Sequence, residues 1–467
     1  MKFTFNNVGL IDKTKLDLAD LTIICGENNT GKTYATYSIY GFYYNWKSHL
    51  REELQLISKE ALKESNGVQI DLNKIFLGKI NELLKKASEK YSKNLNQIFS
   101  SGEEFFKDSI FLAELGKEPL ELNFTKDYLE EISDAKGKPL ATIEKKENSS
   151  ILEILITSNE QQDLDLTSRI AYATAQIIFK PYFPDIFISS TERTGAAIFS
   201  KDLNFNEARA LEVIAQQKDK KTKTKNDIPF GMKMFRGIFE NRYPQPVENN
   251  VEFIRHIEDL EKDSSQVSKD CPEIISAFEE MVGGKYRLVK NLGIRFFPKR
   301  SLIKKGFSML ESSSAIRALL DINFYLKCAA EKGDILVIDE PELNLHPTNQ
   351  RAFARLIARL VNYGIKVFVT THSDYIIQEL NTLIMLNART DHAKKIQLKY
   401  NYKDEELLSC DKIKLFTTTP DKKTKTYKLV ESSVDREKGI EAKTFDKNID
   451  ELNIIQQSIY YGVKQHQ

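Results

Sequence analysis

The residues Gly26 to Thr33 fit the pattern G-x-x-x-x-G-K-[ST] at every position. Gly26 and Gly31 let the backbone turn tightly. The loop, Asn28, Asn29 and Thr30 included, and the N-terminus of the helix after it then form a nest of N–H groups for β- and γ-phosphates. Lys32 adds a point charge, and the Thr33 hydroxyl can ligate Mg²⁺. A second chemical cluster lies far downstream, where the apolar run Ile335 to Ile338 ends in Asp339 and Glu340. Asp339 can hold Mg²⁺ directly or through a water, and Glu340, one residue on and so on another face, can polarise an attacking water. The plainer reading, two acids capping the next helix, does not account for the phosphate loop in the same chain. The apolar run from Lys366 ends in a polar cluster with His372, where an imidazole can hydrogen-bond a γ-phosphate or the attacking water.

Two further groups are weaker candidates. Ser312, Ser313 and Ser314 stand directly before a helical run and can offer hydroxyls and free amides to an anion, or simply cap the helix. Arg193 follows the apolar run Pro184 to Ser190, beyond the carboxyl end of a strand, where ligands bind in open α/β sheets. It is a candidate phosphate or coupling residue, or the surface partner of Glu192 or another acid.

These residues need a sheet to position them. Leu21 to Cys25, with Thr22, Ile23 and Ile24, reads as a buried parallel strand, as do the runs before Asp339 and His372. Phe3, Phe5 and Val8 alternate like an edge strand, with Lys13 to Leu18 as a hairpin partner. Tyr34 to Trp46 carries aromatics at helical spacing, a stripe that packs on the sheet more readily than it stacks bases. Lys47 to about Leu115 reads as helical. Leu120 to Phe124, Leu140 to Ile143 and Ile151 to Ile156 read as strands of a β-rich subdomain, and Leu166 to Phe179 as a helix. After Leu383 to Asn387 closes the core, Lys412 to Phe416 and Thr426 to Val430 read as strands and Ile449 to Gly462 as a final helix. The expected division is 1–200 for the first half of the head, 201–290 for a helical insertion, 291–390 for the second half and 391–467 for a small α/β extension.

Composition limits the function classes. The 467 residues carry 68 Lys+Arg against 67 Asp+Glu, so no global field argues for nucleic acid or a membrane. The lysines from Lys218 to Lys225, and Lys299, Arg300, Lys304 and Lys305, could touch phosphates, but a solvated loop is the commoner meaning of such runs. Cys25, Cys271, Cys328 and Cys410 lie far apart without metal-ligand spacing, which fits a reducing cytoplasm, and no apolar run is long enough to span a bilayer.

Taken in order, Gly26 to Thr33, Ser312 to Ser314, Ile335 to Pro341 and Thr371 to Ser373 resemble the phosphate loop, signature, Mg²⁺/glutamate strand and switch histidine of ABC-type ATPases. The match is closest to their SMC-like branch. The fold implied is an α/β, ABC-type P-loop ATPase head with a β-rich subdomain and a helical insertion. The resemblance implies ATP and Mg²⁺ as cofactors, Glu340 and His372 as catalytic residues, and a homo-oligomer in which the serines of one head complete the nucleotide site of another. Leu310-Glu-Ser-Ser-Ser replaces the usual L-S-G-G-Q/E, and Thr191 to Arg193 stands where a glutamine loop is familiar.

The short tail and the lack of an acidic triad point to a head without effector chemistry of its own. Such heads resemble the ATPase subunits of bacterial anti-phage systems such as PARIS and Septu. That resemblance implies an ATP-hydrolysing sensor and scaffold, a separately encoded effector nuclease of the Toprim type, and a phage-encoded trigger. An SMC-like DNA-binding or repair ATPase is the alternative, and a transporter ATPase a third.

Overall fold

All five residues of the strand Leu21–Cys25 are buried, as a strand covered on both faces must be. It lies inside a six-stranded sheet ordered Thr426–Ser432, Ile413–Asp421, Leu21–Cys25, Lys366–Thr371, Ile335–Asp339, Ile186–Ser189. Only the Thr426–Ser432 edge strand is antiparallel to its neighbour. The carboxyl ends of the other strands therefore point one way. That geometry gathers the phosphate loop, Asp339, His372 and Arg193 at one end of the sheet. The computed structural model describes residues 1–64, 69–116, 122–133, 139–156, 165–199, 243–300, 305–436, 439–440 and 453–460.

Alternate strand residues face two cores, which makes the head three-layered. Ile24, Val337 and Phe368 pack with the helix Lys32–Glu64 and the smaller antiparallel sheets. Ile23, Ile338 and Val369 pack with the helices Pro347–Tyr363 and Asp374–Leu386. The aromatic stripe is core, as its spacing implies: Tyr37, Tyr40, Phe42, Tyr43 and Trp46 are all buried. Trp46 stacks on Phe183 with centroids 5.0 Å apart. This packing anchors the helix that begins at Lys32 and so fixes the phosphate loop.

Several local expectations need correction. Lys2–Asn6 is not an edge strand, because it pairs with both Thr14–Asp17 and Ile110–Glu114. Ile110–Glu114 lay inside the stretch expected to be helical; its buried Phe111 and Ala113 alternate with less buried neighbours, a period too short to stand out beside long helices. The β-rich subdomain contains Gln69–Asp71, Ile151–Ile156, Pro139–Lys145 and Tyr128–Ser133. Residues 122–124 of the expected strand at Leu120 to Phe124 lie in no strand, and Tyr128–Ser133 is the strand that joins the sheet.

Much of the expected insertion, with Lys218 to Lys225, lies outside the described residues, as does Lys304. From residue 243 the chain is part of the head. Gln245–Arg255 and Pro272–Val282 send Val251, Ile254 and Phe278 into the core shared with Ile23 and Ile338. The sheet also does not close at Asn387. Ile413–Asp421, expected in a separate extension, pairs in parallel with Leu21–Cys25. Residues 453–460 form an exposed helix. No helix among the described residues is long and apolar enough to cross a membrane.

Candidate active site

The phosphate loop takes its shape from positions where side chains are excluded. Gly31 has φ +92°, and a Cβ on Gly26 would sit 1.8 Å from Thr418 Oγ1 on the neighbouring strand. Asn29 also has a left-handed backbone, at φ 60°, which asparagine tolerates better than most residues. Asn28 and Asn29 are exposed, whereas Thr30 is buried and its hydroxyl donates to Glu27 O at 2.8 Å. Thr30 thus braces the loop through its side chain. Lys32 Nζ donates to Gly26 O at 3.0 Å and Glu27 O at 2.8 Å. The ammonium is held over the loop, where phosphate oxygens can replace those carbonyls.

The acids meet Lys32 at the same end of the sheet. Burial is the largest influence on the Lys32 pKa and lowers it, while Glu340, Asp339 and Glu342 act in the opposite direction. Asp339 is fully buried; Thr370 Oγ1 donates to its Oδ1, and its Oδ2 has no hydrogen-bond partner among the described residues. Burial pushes its carboxyl up to about 6. An ionised, buried and half-satisfied carboxylate is costly in isolation. Together with the exposed Thr33 hydroxyl it offers the hard oxygen donors that a cation such as Mg²⁺ takes.

Residues 1–377 match the AAA_15 family, an AAA ATPase domain. The chain belongs to this family. It is an AAA-type ATPase: it binds nucleotide and hydrolyses ATP, and its architecture is the α/β P-loop head expected from the sequence. Solved structures similar to this ATPase include the Smc head bound to the C-terminal winged-helix domain of ScpA, at 11% identity and TM-score 0.36, covering 93% of this chain and 98% of that one. An SMC head domain from Thermotoga maritima is 12% identical at TM-score 0.31, with coverage of 93% and 98%. An Smc head domain with an extended coiled coil, bound to the C-terminal domain of ScpA derived from Pyrococcus furiosus, is 13% identical at TM-score 0.32, with coverage of 97% and 98%. No curated protein matches the chain.

In this ATPase Glu340 has φ 52°, a left-handed backbone that costs a non-glycine residue about 1–2 kcal/mol. Its N–H donates to both Thr370 O and Thr370 Oγ1 at 3.1 Å, which holds the turn. The turn brings the Glu340 carboxylate to His372, whose Nδ1 lies 3.5 Å from Glu340 Oε1. Hydrogen bonding to His372 keeps the Glu340 carboxyl below the usual glutamate range, and the same contact raises the imidazole pKa. The pair is an ionised carboxylate beside a histidine that retains its proton to higher pH.

Glu342 belongs to this cluster and was missed among the candidates. It is buried, accepts from His372 N at 2.7 Å and from Thr371 Oγ1 at 2.9 Å, and lies 3.2 Å from His372 Nδ1. The signal was present in Asp339-Glu340-Pro341-Glu342, where proline lets the chain turn and return the second glutamate to the histidine strand.

Arg193 does not stand as a surface ion pair, and its fork is not free for phosphate. Its side chain is buried and donates to four backbone carbonyls, those of Ser190, Ala318, Asp339 and Glu340. Glu192 instead accepts from Tyr37 O–H at 3.2 Å. The serines lie apart from the loop, with no hydrogen bond to it among the described residues. Ser312 Oγ donates to Ser308 O at 2.7 Å, Ser313 caps the helix Ser314–Ala318 through Ile316 N, and Ser314 opens that helix.

Proposed function

We propose that this ATPase is the sensor and scaffold subunit of a bacterial anti-phage complex in the cytoplasm. In this reading it holds a separately encoded effector, of the Toprim nuclease type, and releases it on meeting a phage-encoded trigger. The observation that carries the enzymatic part is the convergence of Lys32, Asp339, Glu340 and His372 at one end of the sheet, with Asp339 Oδ2 buried and without a hydrogen-bond partner among the described residues. Gly26, Asn28, Asn29, Thr30, Gly31 and Lys32 then hold the phosphates through loop amides and one ammonium. Thr33 and Asp339 hold Mg²⁺, which supplies neutralisation of charge on the terminal phosphate when bound. Glu340 polarises the attacking water and His372 hydrogen-bonds that water or the γ-phosphate.

The serines serve a second copy of the chain in a head-to-head homo-oligomer. Ser313 is exposed and Leu310, three residues before it, is 73% exposed, so polar and apolar groups lie together for that copy. The effector part rests on the resemblance of stand-alone heads to defence ATPases. Expressing the chain with its genomic neighbours in a phage-sensitive bacterium tests it. Protection that disappears with Lys32→Ala supports the reading, and absence of protection from the intact set overturns it.

One observation favours an SMC-like DNA-binding ATPase as the second reading. The helix Asp391–Lys399 buries no residue, and Arg389, Lys394, Lys395 and Lys399 are exposed without an ion pair among the described residues. On that reading duplex DNA binds with ATP present, weakens steeply with salt, and loses affinity when these cations are replaced by alanine. Unchanged binding in the alanine variants would discard the surface.

A further inference from the structure

Arg193 joins two segments that, in a head-to-head pair, face different nucleotides. Its Nε donates to Ala318 O at 2.9 Å, at the end of the helix Ser314–Ala318 that Ser313 caps. Its Nη1 donates to Ser190 O at 2.8 Å and Asp339 O at 2.7 Å, and its Nη2 to Glu340 O at 2.6 Å. The side chain is 1% exposed and forms no ion pair among the described residues. Its charge is compensated at longer range by Asp321, Asp339, Glu342 and Glu340. Asp321 is itself fully buried and held by Asn250 Nδ2 at 2.8 Å and Ile322 N at 2.8 Å. A planar, rigid fork is the one side chain that can bind carbonyls from three elements at fixed angles.

We propose that Arg193 is a positioning residue that links the Ser313–Ala318 segment to the Asp339–Glu340 turn, so that seating a partner on the serines sets the hydrolytic carboxylate of the same chain. The inference rests on the head-to-head reading above. Glu340 keeps its left-handed backbone because both flanking peptides are restrained, the first by Thr370 and the second by Arg193 together with Leu343 N–H, which donates to Glu340 O at 3.1 Å. Such a conformation persists only where its surroundings over-determine it. Removing the fork takes the contacts to Asp339 O and Glu340 O from the turn and leaves Thr370 and Leu343 to hold it, so the carboxylate is placed less firmly against His372. At the other end, the helix Ser314–Ala318 is five residues long, so a displacement of the serines reaches Ala318 O and pulls on the same guanidinium.

The test compares wild type with Arg193→Lys, which keeps the charge and loses the fork, and with Arg193→Gln. ATP affinity stays within about threefold while kcat falls roughly 10–100-fold, because the effect lies on the position of the carboxylate. ATP-induced protection from hydrogen exchange is lost over residues 309–319 and kept over residues 26–33. Wild-type specific activity rises with protein concentration, and Arg193→Lys stays flat at a low value. A concentration-dependent wild type with an unaffected Arg193→Lys overturns the linkage alone. A wild type whose specific activity is independent of concentration overturns the head-to-head reading with it. If neither variant folds, the wild type decides: exchange over residues 340–343 slows as concentration carries the MgATP-bound protein into the dimer. Exchange there that ignores dimerisation overturns the linkage.

Discussion

Replacing Asp339 by asparagine separates the cost of the site from its use. The carboxyl is fully buried, and burial raises its pKa from 3.8 to about 6. Between those values the native state keeps a proton that the unfolded chain has released, so stability falls as pH rises through the window and the penalty persists above it. About two pKa units at 1.36 kcal/mol each amount to ~3 kcal/mol at pH 8, shrinking to ~1 kcal/mol at pH 4.5. Asp339→Asn keeps the oxygen that accepts from Thr370 and removes the charge. In denaturant unfolding without nucleotide or metal, the variant should exceed wild type by up to about 3 kcal/mol at pH 8 and by ~1 kcal/mol or less at pH 4.5. MgATP should then stabilise wild type and leave the variant nearly unmoved. A difference that does not grow with pH, or equal stabilisation of both proteins by MgATP, would refute the assignment of Asp339 as a metal-bearing carboxylate kept at the expense of stability.

Lys32→Ala removes the ammonium held over the loop and should weaken ATP binding by ten- to a hundredfold, as read by titration calorimetry, in keeping with a charge-assisted contact. His372→Ala should slow hydrolysis by roughly 10–100-fold with little change in binding; because the imidazole pKa is raised by Glu340, the wild-type pH–kcat profile should fall on its alkaline side, and His372→Gln should lack that limb. Gly26→Ala forces a Cβ onto Thr418, so it should cost about 1–3 kcal/mol of thermal stability and part of the ATP affinity, with partial recovery in the Gly26→Ala/Thr418→Ala double variant.

The site was readable where its chemistry is local in the chain. The spacing of Gly26, Gly31 and Lys32 dictates a nest wherever it folds, and an apolar run ending in Asp339-Glu340 dictates a buried strand with acids at its carboxyl end. What could not be read depends on contacts between distant segments. Glu342 is a plain acid until the Pro341 turn brings it against Thr371 and His372. Arg193 looked like a ligand or surface residue because nothing in its neighbourhood announces the carbonyls of Ala318, Asp339 and Glu340 around it. The same holds for the fold. Ile413–Asp421 reads as a strand from its own residues, but only pairing places it beside Leu21–Cys25. Ile110–Glu114 gains its partner from the first residues of the chain. Local propensity cannot supply either pairing.

Glu340 carries the central claim, and its side chain can be altered with little change of shape. Turnover of MgATP by Glu340→Gln, measured beside nucleotide affinity in the same preparation, should fall at least about 100-fold while affinity stays at or above the wild-type value. Turnover within a few-fold of wild type, at intact affinity, would contradict the account.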